Sequence, residues 1–399
     1  MEQHSRFIPT PKKLIYHRIA EQGTVSKAEL LSEFKLTSST LTRLLDEMIA
    51  EKLILDSGLG PSNGGRRPIL YQINPSYGYF FGLEISRLYS SLGFFDMQMN
   101  PMSFVRWRMD EAMTPHQFIE HVHTNMRSIL KDHRIEAEQV IGTGIGAVGP
   151  LNRQKGIILK PLYFQAKGWN DLPICSLLEA KTGFPARLEN GANTALIGEH
   201  WSIRRERVQH MLYVHAGAGL RSAMMSHGQI IHGTIDMEGS AGQMIIQTDG
   251  PRLQDHGNYG ALEAFVSVQA LEKQARSYAK TGASGWQEKY QITAEQVNFD
   301  FLQKALAQDD AFVKHLFLES AAYFGIGLAN LINVFHPEQV ILGGALTNAH
   351  EQFYRTAIQV AQKNTYYYPE YEPKFSKGVL KEDAVATGAA LMVWKEIQL

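Results

Sequence analysis

The chain has 399 residues, 44% hydrophobic and 20% charged, with a formal net charge of −1. That composition suits an ordinary globular protein long enough for two or three domains, and the balance excludes a whole-chain electrostatic case for nucleic acid. A single cysteine, Cys175, excludes an intrachain disulfide and a cysteine-built zinc site. The N-terminus holds no apolar core of signal length and no run of about 18 apolar residues stands out, so a cytoplasmic protein with no membrane partner is expected.

The first 76 residues carry ten Lys/Arg against eight Asp/Glu, a net of +2 that leaves −3 for the remainder. "LIYHRIAEQG" (14–23) predicts a short amphipathic helix stopped by Gly23. Ser26 and Glu29 have capping-box spacing and open a second helix through Phe34. After a turn at "KLTSST", a third helix is expected from Ser39 to Lys52, with Leu41, Leu44, Leu45, Met48 and Ile49 on one face. Residues 53–74 read as two strands around a Gly/Pro/Asn loop. Three helices and a hairpin spell a winged helix-turn-helix. Its base-facing candidates are Thr37, Ser38, Ser39, Thr40, Thr42 and Arg43, and Arg66 and Arg67 in "GGRRP" suit a wing tip in a narrow minor groove. The competing reading is a protein-interaction module on which Arg66 and Arg67 are solvated charges.

"NPSYGY" (74–79) reads as a linker, and the pattern then changes. Residues 79–97 predict a strand hairpin. "QVIGTGIGAVGPL" (139–151) and "QHMLYVHAGAGLRSAMM" (209–225) are strands running into glycine-rich turns, and 324–346 is a helix, a strand and a Gly-Gly turn. Strands alternating with helices argue an α/β fold with mixed sheets. "LENGANTALIGEH" (188–200) is a strand, a turn and a small-residue helix, the place where a carboxylate would deprotonate a bound hydroxyl. "RRERVQH" (204–210) reads as a solvated helix end, the tyrosines of "TYYYPEY" (365–371) as packed beneath a loop, and Cys175 as a core residue.

"GGRRP", "GTGIGAVGPL", "LENGANTALIGEH" and "FHPEQVILGGAL" occur in the order seen in the ROK family of repressors, open reading frames and sugar kinases. The chain resembles that family's branch of xylose and N-acetylglucosamine repressors over roughly residues 10–395. The resemblance implies a winged helix-turn-helix (1–76) followed by a two-lobed actin-like, ribonuclease H-like α/β domain with sugar bound between the lobes. The first lobe would span 77–190, with helix 380–399 returning to it. The second, with the effector cleft and the dimerisation surface, would span 191–379.

Departures from the family pattern carry the functional expectation. Kinase members place Asp, the base, where this chain has Gly191. Their Asp-x-Gly-Gly-Thr phosphate loop corresponds to Glu84–Leu88, where Ser86 and Arg87 replace glycines. Their second loop corresponds to "HAGAGLR" (215–221), where His215 and Arg221 replace glycines. A bare-backbone phosphate cradle and a base are both lost, so no kinase activity and no cofactor are expected. The family's zinc set, one His and three Cys, is replaced by Gln243, Ala261 and residues without sulfur, with His256 alone, so no metal is expected.

The family's sugar contacts correspond to Asn190, Gly191, Ser240, Gln243 and Glu263. Arg221 is either an anion site or a partner for a nearby carboxylate. The resemblance implies a sugar-responsive repressor whose partners are operator DNA, a sugar or sugar-phosphate effector and a second copy of itself, as a homodimer or tetramer. Two other readings stay open: a sugar kinase with an appended DNA-binding domain, and a constitutive DNA-binding protein with a vestigial cleft.

Overall fold

A computed structural model of the chain describes residues 10–61, 67–161, 164–236, 240–255, 257–282 and 285–397. Helix α1 (Pro11–Gln22) starts behind Thr10, whose hydroxyl takes the Lys13 N–H, and ends at Gly23 with φ +84°. Strand β1 (Thr24–Ser26) leads into α2 (Lys27–Glu33) through the capping box: Glu29 N donates to Ser26 Oγ at 3.3 Å and Ser26 N to Glu29 Oε2 at 2.6 Å. Helix α3 (Ser38–Ala50) buries Leu41, Leu44, Leu45 and Met48; Ile49, expected on that face, is 40% exposed. Strands β2 (Ile54–Leu59) and β3 (Ile69–Ile73) pair antiparallel, and β1 adds to the other side of β3.

The next unit is a five-stranded sheet. Strands β4 (Tyr79–Ile85), β5 (Tyr89–Asp96) and β6 (Pro101–Arg108) form an antiparallel meander. Helix α4 (Pro115–His133) leads to β7 (Val140–Ala147), which pairs parallel with β4. The short strands β8 (Leu151–Asn152) and β9 (Ile157–Ile158) and helix α5 (Ile174–Thr182) precede β10 (Ala186–Asn190), parallel to β7. The period of two decides the faces. Phe81, Leu83 and Ile85 pack on α4 and α5, whereas Phe80 points to the opposite face.

Helix α6 (Gly191–Ser202) leads to the second sheet, ordered β13-β12-β11-β14-β15. Its strands are β11 (Met211–Ala216), β12 (Leu220–Ser226), β13 (Gln229–Ile230), β14 (Gln339–Gly343) and β15 (Lys374–Ser376). Leu212, Val214, Val340 and Leu342 share a core with helices α7 (Val268–Lys280), α9 (Phe299–Ala307), α10 (Ala311–Phe335) and α12 (Glu351–Lys363). The short helices α8 (Trp286–Tyr290) and α11 (Ala345–Ala349) complete this lobe. By length and composition α10 would suit a membrane crossing, against the expectation from sequence, but half of it is buried inside the protein. Tyr213, Ala223 and Ile341, on the other face, pack on α6.

Helix α13 (Ala384–Lys395) crosses α6 and covers the first sheet. The approach is backbone to backbone: a β-carbon on Gly388 would overlap the Thr194 carbonyl, and one on Gly144 would overlap that of Ala389. The N-terminal helices dock on this pair. Ile15, Tyr16 and Ile19 share one core with Phe80, Phe95, Met97, Met99 and Trp394. The Trp394 ring lies 6.1 Å from Tyr16, 4.9 Å from His17 and 5.3 Å from Trp201, and its Nε1 donates to Met97 O at 3.0 Å.

Residues 74–79, read as a linker, are therefore a fixed joint. Asn74 Nδ2 donates to Lys52 O at 2.8 Å and Met97 N to Pro75 O at 3.2 Å, and just before the segment Gln98 Nε2 donates to Ile73 O at 2.7 Å. The 204–210 segment keeps Arg205, Glu206, Arg207 and Gln209 exposed, as expected of a solvated end, but it also touches the N-terminal helices: Arg205 donates to Gln22 O, Arg207 pairs with Glu33 at 3.7 Å, and Arg204 covers the Trp201 ring. Tyr366, Tyr367 and Tyr368 are exposed instead of packed; the buried contact belongs to Tyr371, whose hydroxyl donates to Pro337 O at 2.7 Å.

Burial, with the charges of Lys13 and Lys395, lowers the His17 pKa to about 4. The unfolded chain protonates this ring near 6.5 and the folded chain resists it. Its contribution to stability is thus complete above pH about 6.5 and is lost as pH falls towards 4. Urea unfolding across that window should show His17→Gln flattening the decline relative to the parent chain; parallel profiles would contradict the docking of His17 on Trp394.

Candidate functional site

The residues that follow β13 of the second sheet meet the ends of β7 and β10 of the first, and β10 delivers the central residue of that junction. Asn190 ends the strand and caps α6: Oδ1 accepts the Ala192 N–H at 3.0 Å. Its Nδ2 donates to both Asp236 oxygens, at 3.3 and 3.2 Å. Asp236, 5% exposed, also accepts Leu151 N at 2.9 Å. The amide expected to grip a ligand hydroxyl is therefore engaged at both ends. Asp236 lies so close to the Gly149–Leu151 turn that a β-carbon on Gly149 would overlap its carboxylate.

Glu189 is the second centre. It accepts Asn190 N (2.7 Å), Asn193 Nδ2 (3.0 Å), His232 Nε2 (2.9 Å) and Arg153 Nη1 (3.3 Å). Burial opposes its charge, but these hydrogen bonds and the Arg153 charge win and hold its pKa below the usual range. His232 and Asp236 both follow β13, so one segment is fastened to the end of β10 at two points.

Gly191 opens α6, and a β-carbon there would find only Ala147 O at 3.5 Å and still more distant neighbours. Space does not demand glycine at this position. Gln243 and Glu263 are joined to each other, Nε2 to Oε2 at 3.0 Å. Glu263 Oε1 accepts Leu220 N at 3.0 Å, and Gln243 Oε1 accepts Asn258 N at 2.9 Å. Ser240 stands half-buried at the start of the turn that ends at Gln243. The expected contacts thus form two clusters, Asn190 with Gly191 and Gln243 with Glu263. They are linked through β12, where Leu220 touches Glu263 and Arg221 Nη2 donates to Gly149 O at 3.4 Å.

The glycine-rich turns are filled. A β-carbon on Gly217 would lie 2.7 Å from His215 Nε2, so the imidazole occupies the space beside that turn. Burial, then the charges of Arg87 and Arg221, lower the His215 pKa to about 4. Glu84, hydrogen-bonded by Ser91 Oγ at 2.9 Å, is raised by burial to about 7. Sequence reasoning missed Glu189, Asp236, His232 and Arg153. The motif that drew attention to Asn190 contains Glu189, but strand alternation assigns adjacent residues to opposite faces, and Asp236 lies in a segment with no periodicity at all.

At the N-terminal module, Thr37, Ser38 and Ser39 are exposed at the start of α3. Their hydroxyls are partly committed: Thr37 Oγ1 accepts Thr40 N at 3.2 Å and lies 2.8 Å from Thr40 Oγ1 and 3.1 Å from Ser39 Oγ. Thr42 Oγ1 donates to Ser38 O at 2.8 Å and accepts Lys27 Nζ at 2.5 Å. Arg43 is exposed and pairs with Glu47 at 3.2 Å, an exposed pair worth less than about 1 kcal/mol. Arg67 is exposed beside β3; Arg66 lies outside the described residues.

The sequence model described as "ROK family" matches residues 103–396. The chain belongs to the ROK family. It is 25% identical over 399 residues to a putative xylose repressor of Caldicellulosiruptor sp. strain Rt8B.4, covering 98% of this chain and 97% of that protein. It is 28% identical over 233 residues to a glucokinase of Halalkalibacterium halodurans, covering 55% of this chain and 66% of the enzyme. A solved ROK family transcriptional regulator, a homologue of the E. coli MLC protein, aligns with a TM-score of 0.74 at 19% identity over 97% of this chain and 99% of that one. That last likeness establishes the two-lobed actin-like ROK fold.

The close fit of Asp236 over Gly149 is testable by a double-mutant cycle. Gly149→Ala should destabilise the protein by about 1–3 kcal/mol through overlap with Asp236 and with the Asn190 amide 2.9 Å away, and Asp236→Ala in the same chain should remove the part of that cost due to the carboxylate. Additive effects in urea unfolding would contradict the contact.

Proposed function

We propose that this ROK protein is a sugar-responsive transcriptional repressor without kinase activity. The observation that carries this reading is the N-terminal module fused by a shared core to the helix pair that lines the cleft. We take α2, the turn and α3 as a helix-turn-helix and β2–β3 as its wing, with residues 1–76 as the DNA-binding domain. Residues 77–190 with α13 form the first lobe, and 191–379 the second. The near full-length match to a protein named as a putative xylose repressor supports this assignment, while the glucokinase match covers little more than half of the chain.

On this reading Thr37, Ser38, Ser39, Thr40, Thr42 and Arg43 face operator DNA, with Arg66 and Arg67 on the wing. A two-fold operator calls for a homodimer, whose half-sites tolerate spacings near 34–36 Å. The effector sits among Asn190, Gly191, Ser240, Gln243 and Glu263, and the protein works in the cytoplasm. Binding that favours one lobe arrangement shifts the spacing of the two DNA-binding modules.

Two features speak against the kinase alternative. Residue 191 has no side chain to take a proton, and Asn190 is bonded to Asp236 where a substrate hydroxyl would enter. Gly191→Asp has room for its β-carbon, yet should still give no sugar-dependent ADP release, because a base alone does not rebuild the phosphate loops. Sugar-dependent turnover by the parent chain would overturn the proposal. For the DNA-binding end, Arg66→Ala with Arg67→Ala should weaken operator binding and reduce the log–log salt slope by about 0.9 per lost phosphate contact. An unchanged slope in a fluorescence anisotropy titration would remove the wing from the interface.

A further inference from the structure

The second lobe holds a cavity that shares no lining residue with the junction around Asn190. Its volume is about 460 Å³, and it lies between α7 and α10 beside residues 251–253. Phe312, Leu316, Ser320 and Tyr323 line it from one face of α10. Ala270, Lys273, Gln274 and Ser277 line it from one face of α7. From Phe312 to Tyr323 the helix rises about 16 Å, so the volume is drawn out into a narrow slot. Its walls are aromatic. Tyr278 stacks on Phe312 at 3.7 Å and 6°, and Phe265 lies 4.1 Å from Tyr323 at 31°. Tyr278, Phe312 and Tyr323 are half-buried, which leaves part of each ring uncovered.

The buried hydroxyl of the slot is spent inside the protein: Ser320 Oγ donates to Phe265 O at 2.8 Å. The rim is different. Lys273 Nζ donates to Arg252 O at 3.2 Å and to Leu253 O at 3.3 Å. Those two carbonyls fix the ammonium beside the loop, and its third N–H has no acceptor among the described residues. Arg252 is fixed as well: Nε donates to Gly257 O at 2.6 Å, Nη2 donates to Asp255 O, and the guanidinium covers the Tyr259 ring. The acidic lining residue is Glu319, exposed on α10. Two anchored cations against one exposed carboxylate leave the loop side of the slot positive.

We propose that this slot is a second ligand site and that it takes a planar aromatic carboxylate of one or two fused rings. Small-molecule sites are typically cavities of about 300–1,000 Å³ with apolar, aromatic walls and a few fixed polar groups. A flat ring suits a narrow slot, and its carboxylate meets the Lys273 ammonium in a charge-assisted hydrogen bond. The ammonium is already held in place, so little ordering cost falls on the complex. The slot also shares a wall with the proposed effector site. In the turn Leu262–Ala264, Glu263 accepts Leu220 N while Ala264 and the following Phe265 line the slot. Binding in the slot stands apart from the reading of Glu263 as an effector contact; any influence on the effector rests on that reading.

Isothermal titration of the full-length protein with 2-naphthoate, its neutral amide and 2-naphthylmethylamine tests this. The carboxylate should bind at least about fivefold more tightly than the amide or the amine. Lys273→Gln should bring the carboxylate to within about twofold of the amide. Ser277→Trp, which fills the slot from α7, should abolish binding of both. Lys273 and Ser277 are exposed, and urea unfolding should give each variant the midpoint of the parent chain. Should Ser277→Trp fail to fold, Lys273→Gln decides alone. An amide or amine that binds as tightly as the carboxylate would overturn the proposal. So would a preference that survives Lys273→Gln, binding that survives Ser277→Trp in a folded chain, or no binding of 2-naphthoate. An operator-binding assay on the parent chain separates the two levels. A chain that binds operator but no naphthoate sinks the slot and leaves the repressor reading intact; one that binds naphthoate but no operator sinks that reading and leaves the slot.

Discussion

The crossing of α6 and α13 joins the end of β10 to the N-terminal helices. Glycine at position 388 lets the Thr194 carbonyl approach without a side chain between, and Gly198 does the same for Ala384. Helices this close cannot slide without creating overlap or voids, and packed interiors tolerate neither. The 12 residues of α6 span about 18 Å. One end carries Asn190 and Asn193 in the cleft, and the other carries Trp201 under the N-terminal helices. α13 runs beside it from Val385, near Gly191, to Trp394 beneath Tyr16 and His17.

On the proposed reading, ligand exchange around Asn190 acts on that crossing. Where a phosphorylating relative needs a base, this chain has carboxylates tied up by amides: Glu189 by Asn193 and its neighbours, Asp236 by Asn190 and Leu151. A net hydrogen bond contributes about 0.5–1.5 kcal/mol, so a ligand hydroxyl replacing one of these contacts exchanges partners at small cost. The segment carrying His232 and Asp236 bridges from the second lobe to the end of β10, and any such exchange changes how firmly it is held. On the proposed reading, a site built this way converts occupancy into lobe position, with a coupling of about 1–3 kcal/mol as its natural scale.

Local features of this design were legible in the sequence. The Ser26–Glu29 capping box, the Gly23 stop and the strands at 79–97 depend on neighbours within a few residues. Ile49 misled because helical spacing predicts a face without saying how wide its partner is. The joint at 74–79 and the contacts made by 204–210 left no mark in the local pattern because their partners, Met97, Gln22 and Glu33, are far away in sequence or on other elements. In the cleft, Asn190 and Glu263 were named from a resemblance. Asp236, separated from Asn190 by 46 positions in an irregular segment, left no local trace.

The shared core predicts that the N-terminal module moves with the first sheet, α6, residues 204–210 and α13, and against helices α7 to α12 of the second lobe. Double electron–electron resonance on cysteine pairs at exposed sites tests it: Asp46→Cys on α3 with Ser128→Cys on α4, and Asp46→Cys with His315→Cys on α10. On adding the carbohydrate that raises the melting temperature, the α3–α4 distance should stay fixed while the α3–α10 distance shifts. An α3–α4 distance that changes as much as the other would show the N-terminal module swinging on its own joint, and would contradict the account.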